Sequence, residues 1–286
     1  MNGTARVEAQ GKINLFLRVV SREPSGYHQL ETLFQRIALA DSVAVSTAVS
    51  GRSLDCSGAD VGPAEKNLAW RAATAFADAT GGPQNFRIEI EKRIPVGGGL
   101  GGGSADAAAV LRALNALAEK PLDEFALAAV AFELGSDVPY LLSTHALALG
   151  AGRGEKLFPL PALPERQVIL AVPPFGVSSA DAFGWFAEQK SSGHSGTRAT
   201  LPMGRTLEWR TIAALAANDL EGVVTAHHPE IGTLRDSLKQ RGAILAQMSG
   251  SGSTVFGVFE KPVGAERGEI ATSTVEQVAP VQSLPS

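Results

Sequence analysis

At 286 residues with 44% apolar side chains, the chain is long enough for two domains, or one large one, and has ample material for a buried core. Twenty-five Lys and Arg stand against 29 Asp and Glu, a formal net charge of −4, so no basic field exists to hold a nucleic acid or an anionic membrane surface. A discrete small-molecule site is the expectation, and the single cysteine, Cys56, excludes an internal disulfide framework and any thiolate metal cage.

The opening MNGTARVEAQGK lacks the basic, then apolar, then small-residue order of a signal peptide. The longest apolar run, residues 125–132, stops at Glu133 and is too short to span a bilayer. The expectation is a cytoplasmic protein with no membrane partner. Residues 12–20 (KINLFLRVV) alternate, which predicts a strand with Ile13, Leu15, Leu17 and Val19 on one face and Lys12, Asn14, Phe16 and Arg18 on the other. A loop rich in Pro, Ser and Gly follows and carries Tyr27 and His28 at its end, and a second β-rich stretch covers 43–49.

Residues 65–79 carry a helical stripe at 68, 72, 75, 76 and 79, ended by Gly81-Gly82-Pro83. FRIEIE at 86–91 alternates strictly and leads into RIPVGGGLGGGS, where six of the seven positions 97–103 are glycine. The spacing 107, 111, 114 and 118 predicts a helix from there, with Ser104 as its N-cap. DEFALAAVAFEL (123–134) is apolar nearly all round and reads as a buried helix closed by Gly135. Composition shifts near 150–165, which places a domain boundary there and divides the chain into 1–158 and 159–286. Beyond it come a strand at 168–172, a polar segment at 187–204, two helices (TLEWRTIAALAAN and PEIGTLRDSLKQRG), and strands AILAQM and TVFGVF around SGSGS (249–253). The tail from Pro262 is weakly patterned.

A strand, a glycine loop and a helix in that order make an anion site, because the helix start offers unpaired N–H groups and partial positive charge. Glycines let those donors wrap an oxyanion where a Cβ would clash. The pattern G-x-x-x-x-G-K-[ST] fails, since no Lys follows the glycines, and G-x-G-x-x-G fits Gly97, Gly99 and Gly102 only formally.

P-x-G-G-G-L-G-G-G-S (95–104) resembles the phosphate-binding motif of the GHMP kinases. KINLFL (12–17), GYHQLETLFQ (26–35), ELGSDVPYLL (133–142) and SGSGSTVF (249–256) resemble, in order, the branch of that family that acts on a cytidine-diphosphate-linked methylerythritol in the non-mevalonate isoprenoid pathway. The resemblance implies an α+β, two-domain GHMP kinase fold, with an N-terminal half resembling ribosomal protein S5, a ferredoxin-like C-terminal half and the active site between them. It implies ATP-dependent phosphorylation of the 2-hydroxyl of that acceptor.

By motif match, Asp137 is the candidate base and Lys12 its basic partner. Asn14, Tyr27 and His28 fall to the substrate, with Phe183 or Trp185 as the opposite wall to a cytosine ring, Phe183 being preferred. Gly250, Ser251 and Gly252 are expected to brace the substrate diphosphate or the glycine loop. Pro95, Gly97, Gly98, Gly99, Leu100, Gly101, Gly102, Gly103 and Ser104 are expected around the ATP phosphates, and Asn67 and Lys92 near adenine. Ala105 stands where the family often has a second serine, so Mg²⁺ is expected to be held mainly through ATP oxygens, and no protein metal ligand is assigned. Asp106 reads as a first-turn residue serving the helix dipole. His145, His194, His227 and His228 show no metal spacing. Two rivals stay open: a homoserine- or mevalonate-type kinase, and a nucleotide-binding regulator with a decayed site.

Overall fold

The computed structural model describes residues 3–24, 27–190 and 207–284. The polar segment expected at 187–204 lies, from 191 onward, outside them. In chain order the elements are strands β1 (Thr4–Arg22), β2 (His28–Ser46) and β3 (Arg52–Ser57), helix α1 (Leu68–Thr80), strand β4 (Phe86–Glu91), and helices α2 (Gly102–Leu117), α3 (Glu124–Leu134) and α4 (Val138–Leu142). Strands β5 (Leu147–Gly152), β6 (Lys156–Leu160) and β7 (Gln167–Ala171) come next, then helices α5 (Ser179–Lys190), α6 (Trp209–Leu215), α7 (Glu221–His227) and α8 (Glu230–Gln240). Strands β8 (Leu245–Met248), β9 (Val255–Phe259), β10 (Glu269–Ser273) and β11 (Gln282–Leu284) close the chain.

The strands form two sheets, giving the α+β class expected. One is seven-stranded, ordered β11-β1-β2-β4-β3, with β5 pairing the first half of β2 and β6 pairing β5; only β3 and β4 run parallel. The other is four-stranded and antiparallel, ordered β10-β7-β9-β8. The weakly patterned tail thus contributes a strand to each sheet.

Three buried clusters hold these layers. One lies between the seven-stranded sheet and α1 to α4; a second, with Ile13, Leu15, Phe16, Leu100, Leu170 and Phe256, fuses the two sheets; a third packs the four-stranded sheet on α5, α7 and α8. Strand β1 belongs to all three, so it meets protein on both faces and could not keep the clean alternation of a half-exposed strand. Its register with β2 shifts between Gln10 and Lys12 and between Asn14 and Phe16. The second shift sends Phe16 into the same cluster as Ile13 and Leu15, against the simple alternation, while Lys12 and Asn14 stay together facing the cleft. Gln247 of β8 spans the irregularity: its Nε2 donates to the carbonyls of Asn14 (2.7 Å) and Leu15 (3.0 Å).

Helix α3 departs from expectation. Only Leu127, Ala131 and Leu134 are buried, and Phe125 is 87% exposed, because the helix packs by one side on α1, α2 and α4 with nothing described on its outer side. No helix among the described residues is long and apolar enough to cross a membrane.

Replacing Gln247 by Leu would strand two buried carbonyls at the point where β1 presents the cleft residues. We expect a loss of about 2–3 kcal/mol in urea unfolding; an unchanged midpoint would contradict the role assigned to this amide.

Candidate active site

A cleft of ≈1020 Å³ opens between the glycine loop, the start of β2, the α4 N-terminus and the Gly250–Gly252 turn. Helix α2 starts at Gly102, and its N-cap is Gly101, in the left-handed region at φ +73°, with no side-chain cap. Ser104 is therefore the third residue of the helix and not its cap. Left-handed Gly101 turns the chain directly into the helix and leaves the leading amides of Gly102, Gly103 and Ser104 without a capping side chain.

The glycines have a second cause, which sequence reasoning did not supply. A Cβ on Gly99 would collide with the Ser249 carbonyl, and one on Gly101 would press on the Lys12 side chain at 3.2 Å. The loop is bare partly because the Ser249–Thr254 turn docks on it: Thr254 N–H donates to Gly98 O (3.2 Å) and Ser249 Oγ to Gly99 O (3.0 Å). Leu100, the one interruption, anchors the loop by burying its side chain between the sheets while its carbonyl accepts from Lys12 N (3.0 Å).

Lys12 is 3% exposed, and its ammonium meets Asn14 Oδ1 (2.7 Å), Gly99 O (3.0 Å) and Asp137 Oδ2 (3.3 Å). The two residues that only resemblance paired, 125 positions apart, are thus adjacent. Asp137 is the N-cap of α4, yet its side chain makes no capping bond, so the carboxylate is turned to Lys12 and the cleft. Asn14 is oriented in turn, its Nδ2 donating to Thr32 Oγ1 (2.8 Å) and that hydroxyl to Phe16 O (2.8 Å). Thr32 was not singled out from the sequence, where it stands among other polar residues, between Glu31 and Gln35.

Asn67 caps α1 by accepting from Ala69 N (2.8 Å) and lines the cleft. Lys92 also lines it, with its ammonium held between Asp41 and Asp106 Oδ2 (2.8 Å). Asp41 further accepts from the amides of Arg93 (2.6 Å) and Ile94 (2.8 Å), fastening the strand that feeds the glycine loop. Asp106 is not a first-turn dipole residue: it sits one turn further in, buried against Lys92, with Oδ1 unpartnered. Burial pushes its carboxyl up to about 7, with Lys92 opposing and Asp41 reinforcing the rise. Burial draws the Lys92 ammonium down, but Asp106 and Asp41 more than offset this and the net direction is upward.

At the other end of the cleft His28 stacks on Phe183 (centroids 4.9 Å apart, 16° between planes). Tyr27 is 58% exposed, with the Arg153 guanidinium 4.1 Å from its ring centroid and that guanidinium paired to Glu23. Arg153, another residue the sequence reading missed, lies in a turn marked only by its glycines. Trp185 does not reach the cleft: two positions after Phe183 on α5, it points the other way and stacks on His227 at 4.0 Å. Gly250, Ser251 and Gly252 line the cleft, Ser251 Oγ lying 3.0 Å from Ser179 Oγ at the start of α5. Among the described residues no group of three or more His, Cys, Asp or Glu side chains converges as a metal site.

Residues 67–145 match the family model for the GHMP kinases N terminal domain, and residues 205–269 match the one for the GHMP kinases C terminal. The chain is 41% identical over 263 residues to the 4-diphosphocytidyl-2-C-methyl-D-erythritol kinase of Desulfitobacterium hafniense (strain Y51), covering 91% of this chain and 88% of that one. To the enzyme of the same name from Moorella thermoacetica (strain ATCC 39073 / JCM 9320) it is 43% identical over 262 residues, covering 87% and 88%. A crystal structure of 4-(cytidine 5'-diphospho)-2C-methyl-D-erythritol kinase superposes with a TM-score of 0.74 at 35% identity, covering 94% of this chain and 98% of that one. Homoserine kinase from Cytophaga hutchinsonii ATCC 33406 superposes at 0.65 with 16% identity, covering 99% and 98%, a likeness of fold alone.

The upward shift of Asp106 has a signed consequence. Its stabilising contribution is fully present below the ordinary value of 3.8 and is lost as pH rises through about 7. Unfolding of wild type and Asp106→Asn across that window should show the wild type losing ground with rising pH; a constant difference would contradict the shift.

Proposed function

The chain belongs to the 4-diphosphocytidyl-2-C-methyl-D-erythritol kinases, a branch of the GHMP kinases, and from that premise we propose how its residues divide the work. The reaction is the ATP-dependent phosphorylation of the 2-hydroxyl of 4-diphosphocytidyl-2-C-methyl-D-erythritol, giving the 2-phosphate, in the non-mevalonate route to isoprenoid precursors. The observation that carries the assignment of roles is the contact between Asp137 and a buried Lys12 beside the glycine loop.

ATP, when bound, would supply the phosphoryl group, and Mg²⁺ carried with it would neutralise charge on the phosphates. The fit rests on the uncapped start of α2, where backbone donors and the helix dipole favour an anion. Gly102, Gly103 and Ser104 hold the phosphates through those amides, and Asn67 and Lys92 flank the nucleotide from the α1 side. Lys12 sets its ammonium beside the loop and 3.3 Å from Asp137, and it stabilises negative charge as it develops on the transferring group. Asp137 orients the acceptor hydroxyl and takes its proton. Asn14, fixed by Thr32, holds the acceptor next to that carboxylate.

The aromatic end of the cleft receives the cytosine. Tyr27, His28 and Phe183 offer π-faces, and the polar edge of His28 offers a hydrogen bond. Their presence opposite the glycine loop in one continuous cleft favours the cytidine-bearing acceptor over homoserine or mevalonate, neither of which has a ring to stack.

Phosphorus NMR of the purified protein with ATP and the acceptor should show the 2-phosphate appearing. Asp137→Asn should lower kcat by about 10³-fold with the fold intact and KM for ATP little changed. Turnover near the wild-type rate would remove the base from this assignment, and no product from the wild type would remove the function.

A further inference from the structure

Lys12 and Arg36 are directly opposed across the β1–β2 ladder. The first meets Asp137 at the N-terminal end of α4. The second grips the other end: the Arg36 guanidinium donates to the carbonyls of Tyr140 (2.9 Å), Leu141 (3.3 Å), Ser143 (3.0 Å) and His145 (3.5 Å). Arg36 is 1% exposed, and among the described residues its side chain bonds to no carboxylate. Its cation is matched instead by the carbonyls at the negative end of the helix and by the Tyr140 ring, 5.1 Å away. A buried guanidinium whose donors go to one five-residue helix and the turn after it satisfies the last carbonyls of that helix and at the same time fixes where the helix sits.

We infer that Arg36 is a positioning residue for phosphoryl transfer: by clamping the C-terminal carbonyls of α4 to the strand position opposite Lys12, it sets where the Asp137 carboxylate stands relative to the Lys12 ammonium. The helix is too short to hold itself, since a single turn has no cooperative stability of its own. Its two ends are held from one cross-strand pair, so the Lys12 to Asp137 spacing is governed by the reach of Arg36. Phe34 helps from the same strand, its ring stacked on Tyr140 at 4.6 Å, and Tyr140 Oη donates to Ala146 O (2.8 Å), fixing the loop that follows. A displacement of about 1 Å at Asp137 is enough to cost on the order of 10²-fold in rate.

This inference rests on the role proposed above for Asp137, and a double-mutant cycle separates the two. Arg36→Met and Arg36→Lys are each made in the wild type and in Asp137→Asn, with folding checked by circular dichroism and nucleotide affinity by calorimetry. In the wild-type background Arg36→Met is expected to lower kcat about 10²-fold, with both KM values within threefold, and Arg36→Lys to recover part of the loss. In Asp137→Asn, which no longer has a carboxylate to place, the same substitutions are expected to change kcat less than threefold. A purely structural arginine would lower activity by the same factor in both backgrounds, and that result, or an unchanged kcat in the first, overturns the inference. Should Arg36→Met fail to fold, Arg36→Lys carries the cycle alone, with the same two outcomes read at smaller amplitude. Full turnover by Asp137→Asn itself counts against the base assignment, and Arg36 variants that still lose kcat alongside it would overturn this inference too.

Discussion

The arrangement turns on one buried charge. An ammonium removed from water must be met by acceptors, and Lys12 is met by a side-chain amide, a loop carbonyl and a carboxylate from three separate parts of the chain. Each partner then inherits constraints. Asn14 has to present oxygen to Lys12 and nitrogen to Thr32. Gly101, left-handed at φ +73°, also lies against the Lys12 stem, which a Cβ would approach to 3.2 Å, and a Cβ on Gly250 would approach the ammonium to 3.3 Å. Asp137 has to forgo capping its own helix. The site is therefore a set of mutual requirements around one cation, and it joins the glycine loop, β1 and α4 before any ligand arrives.

The two sheets supply the rigidity that such a site needs. Because the middle cluster fuses them through β1, β7, β8 and β9, the Ser249–Thr254 turn is carried to the glycine loop as part of a packed body. Asn218 braces that turn from behind, its Nδ2 donating to the carbonyls of Met248 and Gly250, both at 2.8 Å. Asp41 does the equivalent for the strand entering the loop. The loops around the cleft are held by buried polar groups on strands and helices, which is what a preorganised donor set needs if it is not to reorganise during reaction.

What could be read from the sequence follows from this. FRIEIE alternates because β4 has one buried face, and its limits were legible to the residue. Asn67 and Gly81 punctuate α1 by ordinary capping chemistry. Most of β2 was illegible, its β-rich signal being taken only at 43–49, because Thr32, Gln35, Arg36 and Asp41 stand buried in it where a strand pattern wants apolar residues. Of these, Thr32 orients Asn14, Arg36 clamps α4 and Asp41 fastens the approach to the glycine loop, so three of the residues that hid the strand help build the site. Trp185 was a natural candidate for an aromatic wall, and only the phase of α5 shows that Phe183 faces the cleft while Trp185 faces His227. Asp137 and Lys12 could be paired from resemblance alone, since no spacing rule links positions so far apart.

The central claim is geometric, and a crystal structure of the ternary complex with the acceptor and an unreactive ATP analogue tests it most directly. The account predicts the acceptor 2-hydroxyl oxygen within about 2.6–3.2 Å of an Asp137 carboxylate oxygen, with the Lys12 ammonium between that carboxylate and the terminal phosphate. A hydroxyl more than about 5 Å from Asp137 with no bridging water, or a terminal phosphate turned away from Lys12, would contradict it.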